Sequence, residues 1–185
     1  MNLNFERTLC FTGHRPDKLY GYNYKTEGNR LLLLKLRSII EMYITRRGVN
    51  TFVSGMALGI DIWSAQIILA LKKKYPKIKL VCAIPCDEQW KKWRPEDIEV
   101  WHRVVEQADH VYYVSEEKYT PWCMNARNKW MVDNSNYVIS VWDGSTTGGT
   151  YDCVKYAVKR NRSLMNLNPE TLEKNVVKSI DEHKK

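Results

Sequence analysis

Short apolar runs alternate with amphipathic stretches along this chain. Leu9 to Thr12 is an apolar run that stops at Gly13 and gives way to His14-Arg15-Pro16-Asp17-Lys18, which predicts a strand and then a loop. From about Thr26 to Arg47, Leu33, Leu36, Ile40, Tyr43 and Arg47 recur at spacings of three and four, the period of one helix face, and Gly48 is placed to end that helix. Thr51 to Ser54 predicts a second strand ending at Gly55. Leu58, Ile62, Ala65 and Leu69 then form a helical stripe that runs out in Lys72-Lys73-Lys74. Lys79 to Ile84 reads as a buried strand closed by Pro85. Ile98, Trp101, Val105 and Ala108 mark a helix, His110 to Val114 a strand, Trp122 to Asn134 a helix and Tyr137 to Trp142 a strand. Tyr151, Val154 and Val158 open a further helix. Ser163 to Leu167 reads as a last strand, with Pro169 starting a polar terminal helix.

Strands alternating with helices imply βαβ units, and hence an α/β fold. The expectation is a single doubly wound, Rossmann-like domain over residues 1–185 with a mostly parallel sheet. Its core spans about 8–167, with a C-terminal helix or tail over 169–185. No apolar run approaches the roughly 18 residues that cross a bilayer. Glu6 and Arg7 stand where a secretory signal would be apolar, so the expected location is cytoplasmic, with no membrane partner. Five cysteines without a Cys-x-x-Cys spacing read as reduced thiols, neither a disulfide framework nor a metal site.

The formal charge of +8 first suggests a nucleic-acid surface, but its distribution redirects that idea. Residues 1–48 carry +5, residues 155–185 carry +4, and residues 49–154, which hold most of the motifs, carry −1. A small anion held by a few placed groups fits such a middle better than a broad basic face. Nucleic acid remains the second choice of partner, argued from the two ends.

In doubly wound folds ligands bind where the carboxyl ends of strands pass into loops. Four segments fall at such ends: 12–16, 54–61, 85–89 and 143–150. Asp143-Gly144-Ser145-Thr146-Thr147-Gly148-Gly149-Thr150 is the most informative. Its glycines let backbone N–H groups converge on one anion, its hydroxyls add donors, and a helix begins directly after it, which favours phosphate. It is neither a P-loop nor Gly-x-Gly-x-x-Gly. Ser54, Gly55, Met56 and Gly59 form a second strand-to-helix turn, with Asp61 as an acceptor for a sugar hydroxyl or as a carboxylate favoured by the helix dipole. In the first loop, beside Thr12 and Gly13, Arg15 is placed to pair with phosphate and His14 to donate a hydrogen bond or act as a base; the alternative for each is a solvated loop side chain, the favoured reading for His14 alone. Gln89 and Trp93 are placed to contact a base or shape the pocket, although most of the seven tryptophans of a small domain are packing residues. Arg127 shares a helical face with Met124 and Met131, which fits a cation paired with an anion inside the fold.

These residues resemble the SLOG superfamily, Rossmann-like proteins that bind nucleotide-type ligands. Ser54-Gly55-Met56-Ala57-Leu58-Gly59-Ile60-Asp61 is similar to the SGLARGID-type motif of the DprA proteins. Met124-x-x-Arg127 with Gly148-Gly149-Thr150 is similar to the motifs of the LOG phosphoribohydrolases. Thr12-Gly13-His14-Arg15-Pro16, Pro85-x-x-x-Gln89-x-x-x-Trp93 and the 143–150 segment resemble the YpsA-like branch, which has prophage members. The resemblance runs from about Leu9 to Arg160. It implies a ligand of the nucleotide or ADP-ribose kind, no obligatory cofactor, and a sensing, sequestering or regulatory role. Arg15, Arg127 and the 143–150 loop would hold phosphate, and Asp61 or Asp143 the ribose hydroxyls. LOG relatives pair through helices, which implies a homodimer. The rival readings are a phosphoribohydrolase with Arg127 and Asp152 as the catalytic pair, and a DprA-like single-stranded DNA binder. The sequence departs from LOG at Cys153, which stands where those enzymes carry their catalytic glutamate, and from DprA at Leu58, which replaces an arginine.

Overall fold

The computed structural model describes residues 3–115, 120 and 122–179. Within them the chain runs β1 (Thr8–Gly13), α1 (Glu27–Arg47), β2 (Thr51–Ser54), α2 (Ile60–Leu71), β3 (Lys79–Ile84), α3 (Pro95–Gln107), β4 (His110–Tyr113), α4 (Cys123–Asp133), β5 (Tyr137–Val141), α5 (Gly149–Lys159), β6 (Ser163–Leu167) and β7 (Lys174–Val177). The strands form one sheet in the order β4-β3-β2-β1-β5-β6-β7, parallel throughout except for the β6–β7 pair.

The alternation of side chains along each strand builds two cores. Leu9 and Phe11 face one side with Phe52, Leu80, Cys82 and Ile139, under α1, α2 and α3. Cys10 faces the other with Val53, Val81, Ala83 and Val138, under α4 and α5. Both faces are buried, which is why the strands read as continuous apolar runs. Right-handed crossovers explain the division: connections stepping from β1 to β4 lay their helices on one face, and those stepping the other way, from β4 back to β5 and on to β6, lay α4 and α5 on the opposite face. The direction reverses between β1 and β5, and a crevice opens there at the carboxyl edge.

Helix ends follow local chemistry. α1 stops at Gly48, whose φ of +66° is the left-handed conformation that glycine adopts without strain. α3 begins with Pro95 at its first position, where no N–H is needed. The buried face of α1 is Leu32, Leu36, Ile39, Ile40 and Tyr43, so the stripe is centred one residue before the predicted Leu33, and Arg47 lies outside it. α2 is buried on almost every side, because it packs on β1 and β2 and also against α1 and α3. The expected terminal helix after Pro169 is corrected. The chain turns at residues 169–173 and returns as β7, antiparallel to β6 from Leu164–Val177 to Leu167–Lys174. Asn168 fixes that turn by accepting the N–H groups of Glu170 and Thr171 on its Oδ1, and strand pairing outweighs helix propensity.

Candidate functional site

A cavity of about 310 Å³ opens at the β1/β5 crevice. Three strand-to-helix connections and α4 meet in it. The β1 loop contributes Thr12, Gly13, His14, Arg15, Asp17 and Lys18, and the β2–α2 turn contributes Ala57 and Asp61. Met124, Arg127 and Asn128 come from α4, and Thr147, Gly148, Gly149 and Thr150 from the start of α5.

The β2–α2 turn is built as a buried polar network. The Ser54 hydroxyl donates to the Asp61 carbonyl at 2.8 Å and accepts the Met56 N–H at 3.1 Å. Met56 is held at φ +56°, an uncommon conformation for a side-chain-bearing residue, and Gln89 fixes it by donating Nε2 to the Met56 carbonyl at 2.8 Å. Arg127, itself buried, reaches across the sheet edge. Its Nη1 donates to the Gly55 carbonyl and to Asp61 Oδ2, the latter at 3.1 Å. The Ala57 N–H also points at that carboxylate, 3.4 Å away. Burial pushes the Asp61 carboxyl up, against the pull of the Arg127 guanidinium, the Ala57 N–H and Arg15. The anion that Arg127 pairs with inside the fold is thus Asp61. Arg127 Nε, also buried, has no hydrogen-bond partner among the described residues.

The β5–α5 connection is open. Gly144 and Gly148 sit at φ +92° and +94°, and no atom lies within 4 Å of where a Cβ on Gly144, Gly148 or Gly149 would stand. No side chain caps α5, so its first N–H groups and the positive end of its dipole face the cavity. Arg15 and Lys18 stand exposed at the rim, with Asp17 between them.

His14 joins the two connections. It is buried, its Nε2 lies 2.9 Å from Asp143 Oδ1, and the same nitrogen accepts the Asp143 backbone N–H at 3.3 Å. The Ser145 N–H donates to the same oxygen at 2.9 Å. Partial burial works upward on the Asp143 carboxyl, but the Ser145 N–H and the His14 imidazole outweigh it and hold it at about 2.

The structure gathers only some of the residues singled out in the sequence. Thr12, Gly13, His14, Arg15, Asp61, Arg127, Thr147, Gly148, Gly149 and Thr150 line the cavity. Ser54, Gly55, Met56 and Gln89 lie beside it and shape the β2–α2 turn without lining it. Gly59 packs against the His14 carbonyl. Trp93, half-buried, packs against the core under α1, α2 and α3 and does not line this cavity. Asp143 and Gly144 face a separate, wide depression with Trp142 and Asn166, and neither Ser145 nor Thr146 reaches the cavity. Asp152 is exposed on α5 and outside the cavity, so it is not brought to Arg127. Cys153 is buried, and burial pushes its thiol up to about 11, the opposite of an activated nucleophile. Lys18, Met124 and Asn128 join the site because α4 and the turn at Pro16–Lys18 converge on it. For Lys18 the basic loop after β1 was the available signal; for Asn128 there was none.

A family model, YpsA, described as the YspA SLOG family, matches residues 9–173. The SPbeta prophage-derived protein YoqJ of Bacillus subtilis (strain 168) is 36% identical over 149 residues, covering 74% of this chain and 86% of that protein. A UPF0398 protein of Brevibacillus brevis is 27% identical over 155 residues, covering 83% of this chain and 82% of its own length. Among solved structures, DNA processing protein A from Helicobacter pylori, described with a single-stranded DNA binding mode, superposes with a TM-score of 0.60 at 17% identity, over 89% of this chain and 66% of that one. DprA from Streptococcus pneumoniae gives 0.60 at 16% identity, over 89% and 51%. The chain therefore spans just under two thirds of one DprA and about half of the other, and shares their Rossmann-like fold. Family match and relative agree over most of the length: the chain belongs to the YpsA SLOG family.

Proposed function

We propose that this chain binds the phosphate-bearing end of a nucleotide or nucleotide-sugar in the cavity between β1 and β5, in a sensing, sequestering or regulatory role. The observation that carries the reading is the uncapped start of α5, where Thr147, Gly148, Gly149 and Thr150 face a cavity rimmed by Arg15 and Lys18. Free N–H groups, a helix dipole and two mobile cations suit a phosphate. Membership of the YpsA SLOG family and the DprA-like fold support a nucleotide or nucleic-acid ligand. A hydrolase finds less support. Among the described residues, the carboxylates lining the cavity are Asp17, at the rim, and Asp61, whose Oδ2 is taken by Arg127.

Gly149→Asp tests this without harming the fold. The site has open space, and an acidic residue in the first turn of a helix is favourable by about 0.3–1 kcal/mol. Calorimetric titration with AMP and ribose 5-phosphate is expected to show binding to the parent chain and its loss in Gly149→Asp, whose melting temperature holds or rises. Equal binding by both proteins, or none by the parent, would overturn the reading.

A further inference from the structure

A second cavity, of about 280 Å³, lies beside the first and has no role in the function proposed above. Its walls include Tyr22 and Tyr24 from the loop ahead of α1, Ile62, Trp63 and Gln66 from α2, and Val100 from α3. The two cavities share a partition. Arg15 and Asp17 line the first and Pro16 the second; Ala57 and Asp61 line the first, Leu58 and Gly59 the second. The partition is the contact between the β1 loop and Gly59, so tight that a Cβ there would lie 2.5 Å from the His14 carbonyl oxygen and 3.1 Å from Pro16 Cδ. The first cavity thus opens toward α4 and α5, the second toward α2 and α3, and one residue of β1 loop, Pro16, separates them.

The aromatic wall is held in place before any ligand arrives. Asn29 is fully buried and donates Nδ2 to the carbonyls of Gly21 and Asn23, each at 2.9 Å, which ties the tyrosine loop to α1. Tyr20 packs over Gly28 and donates its hydroxyl to the Pro169 carbonyl at 3.1 Å. The Arg94 guanidinium sits 4.3 Å from the centre of the Tyr22 ring and is itself fixed by Asp97 at 2.7 and 3.0 Å. This loop does not need to fold on binding, which keeps the ordering cost low.

Chemistry orients a ligand across the partition. Among the described residues, Glu96 and Asp97 line the second cavity with one cation, Arg94, which pairs with both; two carboxylates against one guanidinium leave the wall net negative, so an anionic group is disfavoured there and belongs in the first. What the second cavity offers is planar aromatic surface and the Gln66 amide, which both donates and accepts as the edge of a nucleobase requires. We infer that it receives the nucleobase of the ligand whose phosphate occupies the first cavity, the ligand crossing the sheet edge over Pro16. This rests on the phosphate reading, and it narrows the ligand from any sugar phosphate to a base-bearing one.

The test compares base-bearing and baseless probes on the full chain: the four nucleoside 5′-diphosphates and ADP-ribose against ribose 5-phosphate. At least one base-bearing probe is expected to bind about tenfold tighter than ribose 5-phosphate, the scale of one base–aromatic stack. Tyr22→Ala, at an exposed position, and Val100→Trp, which fills the cavity, are each expected to remove that advantage and leave ribose 5-phosphate binding unchanged. If ribose 5-phosphate binds and no base-bearing probe binds tighter, or the two variants leave the advantage intact, the base subsite is overturned while the phosphate site stands. Variants that weaken ribose 5-phosphate equally would also overturn it, by showing a general disturbance of the edge. Failure of every probe, ribose 5-phosphate included, would overturn the phosphate reading and this inference with it.

Discussion

Two glycine-rich strand-to-helix turns lie at the same edge of this sheet, and they are built in opposite ways. The β2–α2 turn spends its polar groups on itself. Gly55 leaves room for the Arg127 guanidinium, Gly59 for the β1 loop, and Ser54, Asp61 and Gln89 satisfy the backbone between them. The β5–α5 turn leaves its glycines facing open space and its helix uncapped. Glycine in the first turn is a packing device, and in the second it is an opening. A turn already filled by protein groups is a scaffold; a turn whose donors are left over is the one the proposed ligand would use.

Removing the centre of the filled turn should have the largest effect. Arg127→Met leaves Asp61 buried without its cation, and breaking a buried pair in this way costs about 3–5 kcal/mol. Because burial raises the Asp61 carboxyl in the folded chain, its protonated form is favoured there, and acidification should narrow the deficit of Arg127→Met. Adding Asp61→Asn should recover part of the loss, since a neutral amide needs no guanidinium. Urea unfolding of the two single variants and the double variant measures this. Additive losses would mean that the pair is not the coupled unit described here.

The glycines give a contrast of intermediate size. Gly59→Ala places a methyl against the His14 carbonyl at a φ of +89°, and should destabilise by about 2 kcal/mol or more. Gly149→Ala meets nothing and lies at a helix start, so it should be neutral or stabilising by up to about 1 kcal/mol. Thermal unfolding of the two variants side by side checks the difference. Similar losses at both positions would erase the distinction between the two turns.

The sequence carried the fold further than it carried the site. Apolar runs and period-three-to-four patterns located β1 through β6 and, among the described residues, α1 through α5, because burial on both sheet faces leaves continuous apolar runs such as Leu80–Ile84, and helix stops such as Gly48 are chemically marked. β7 escaped because its side chains are mostly exposed and its position depends on pairing with β6, which no local pattern records. At the site, the glycines and hydroxyls of residues 147–150, which line the cavity, stood out because a strand-to-helix turn rich in such residues is a local arrangement. The Asp61–Arg127 and His14–Asp143 pairs were not, since each joins residues 66 and 129 positions apart through the crossing of separate loops. Asp152 shows the same limit in reverse: adjacency to Thr150 suggested a partner for Arg127, but helix rotation turned the carboxylate outward.

The smallest expected effect lies where the two turns are tied together, at His14 and Asp143. Asp143→Asn keeps the shape of the group beside His14 Nε2 and the backbone N–H that bonds to it, but removes the charge. The carboxylate is 33% exposed, so solvent screening limits the loss to about 1 kcal/mol. Its pH dependence distinguishes this loss from a general one. The folded-state pKa of Asp143, about 2, lies below the ordinary value of 3.8, so the contribution is complete above 3.8 and disappears as pH falls through about 2. The stability gap between the parent and Asp143→Asn, read from urea midpoints at descending pH, should therefore be constant near neutrality and close on acidification. That is the same direction as the Arg127→Met gap, for a different reason: there acid neutralises a charge that burial penalises, and here it neutralises one that hydrogen bonds favour. A gap that persists unchanged at the acid end would show that His14 is held by packing alone, and that the open turn owes its position to the sheet and not to the filled turn beside it.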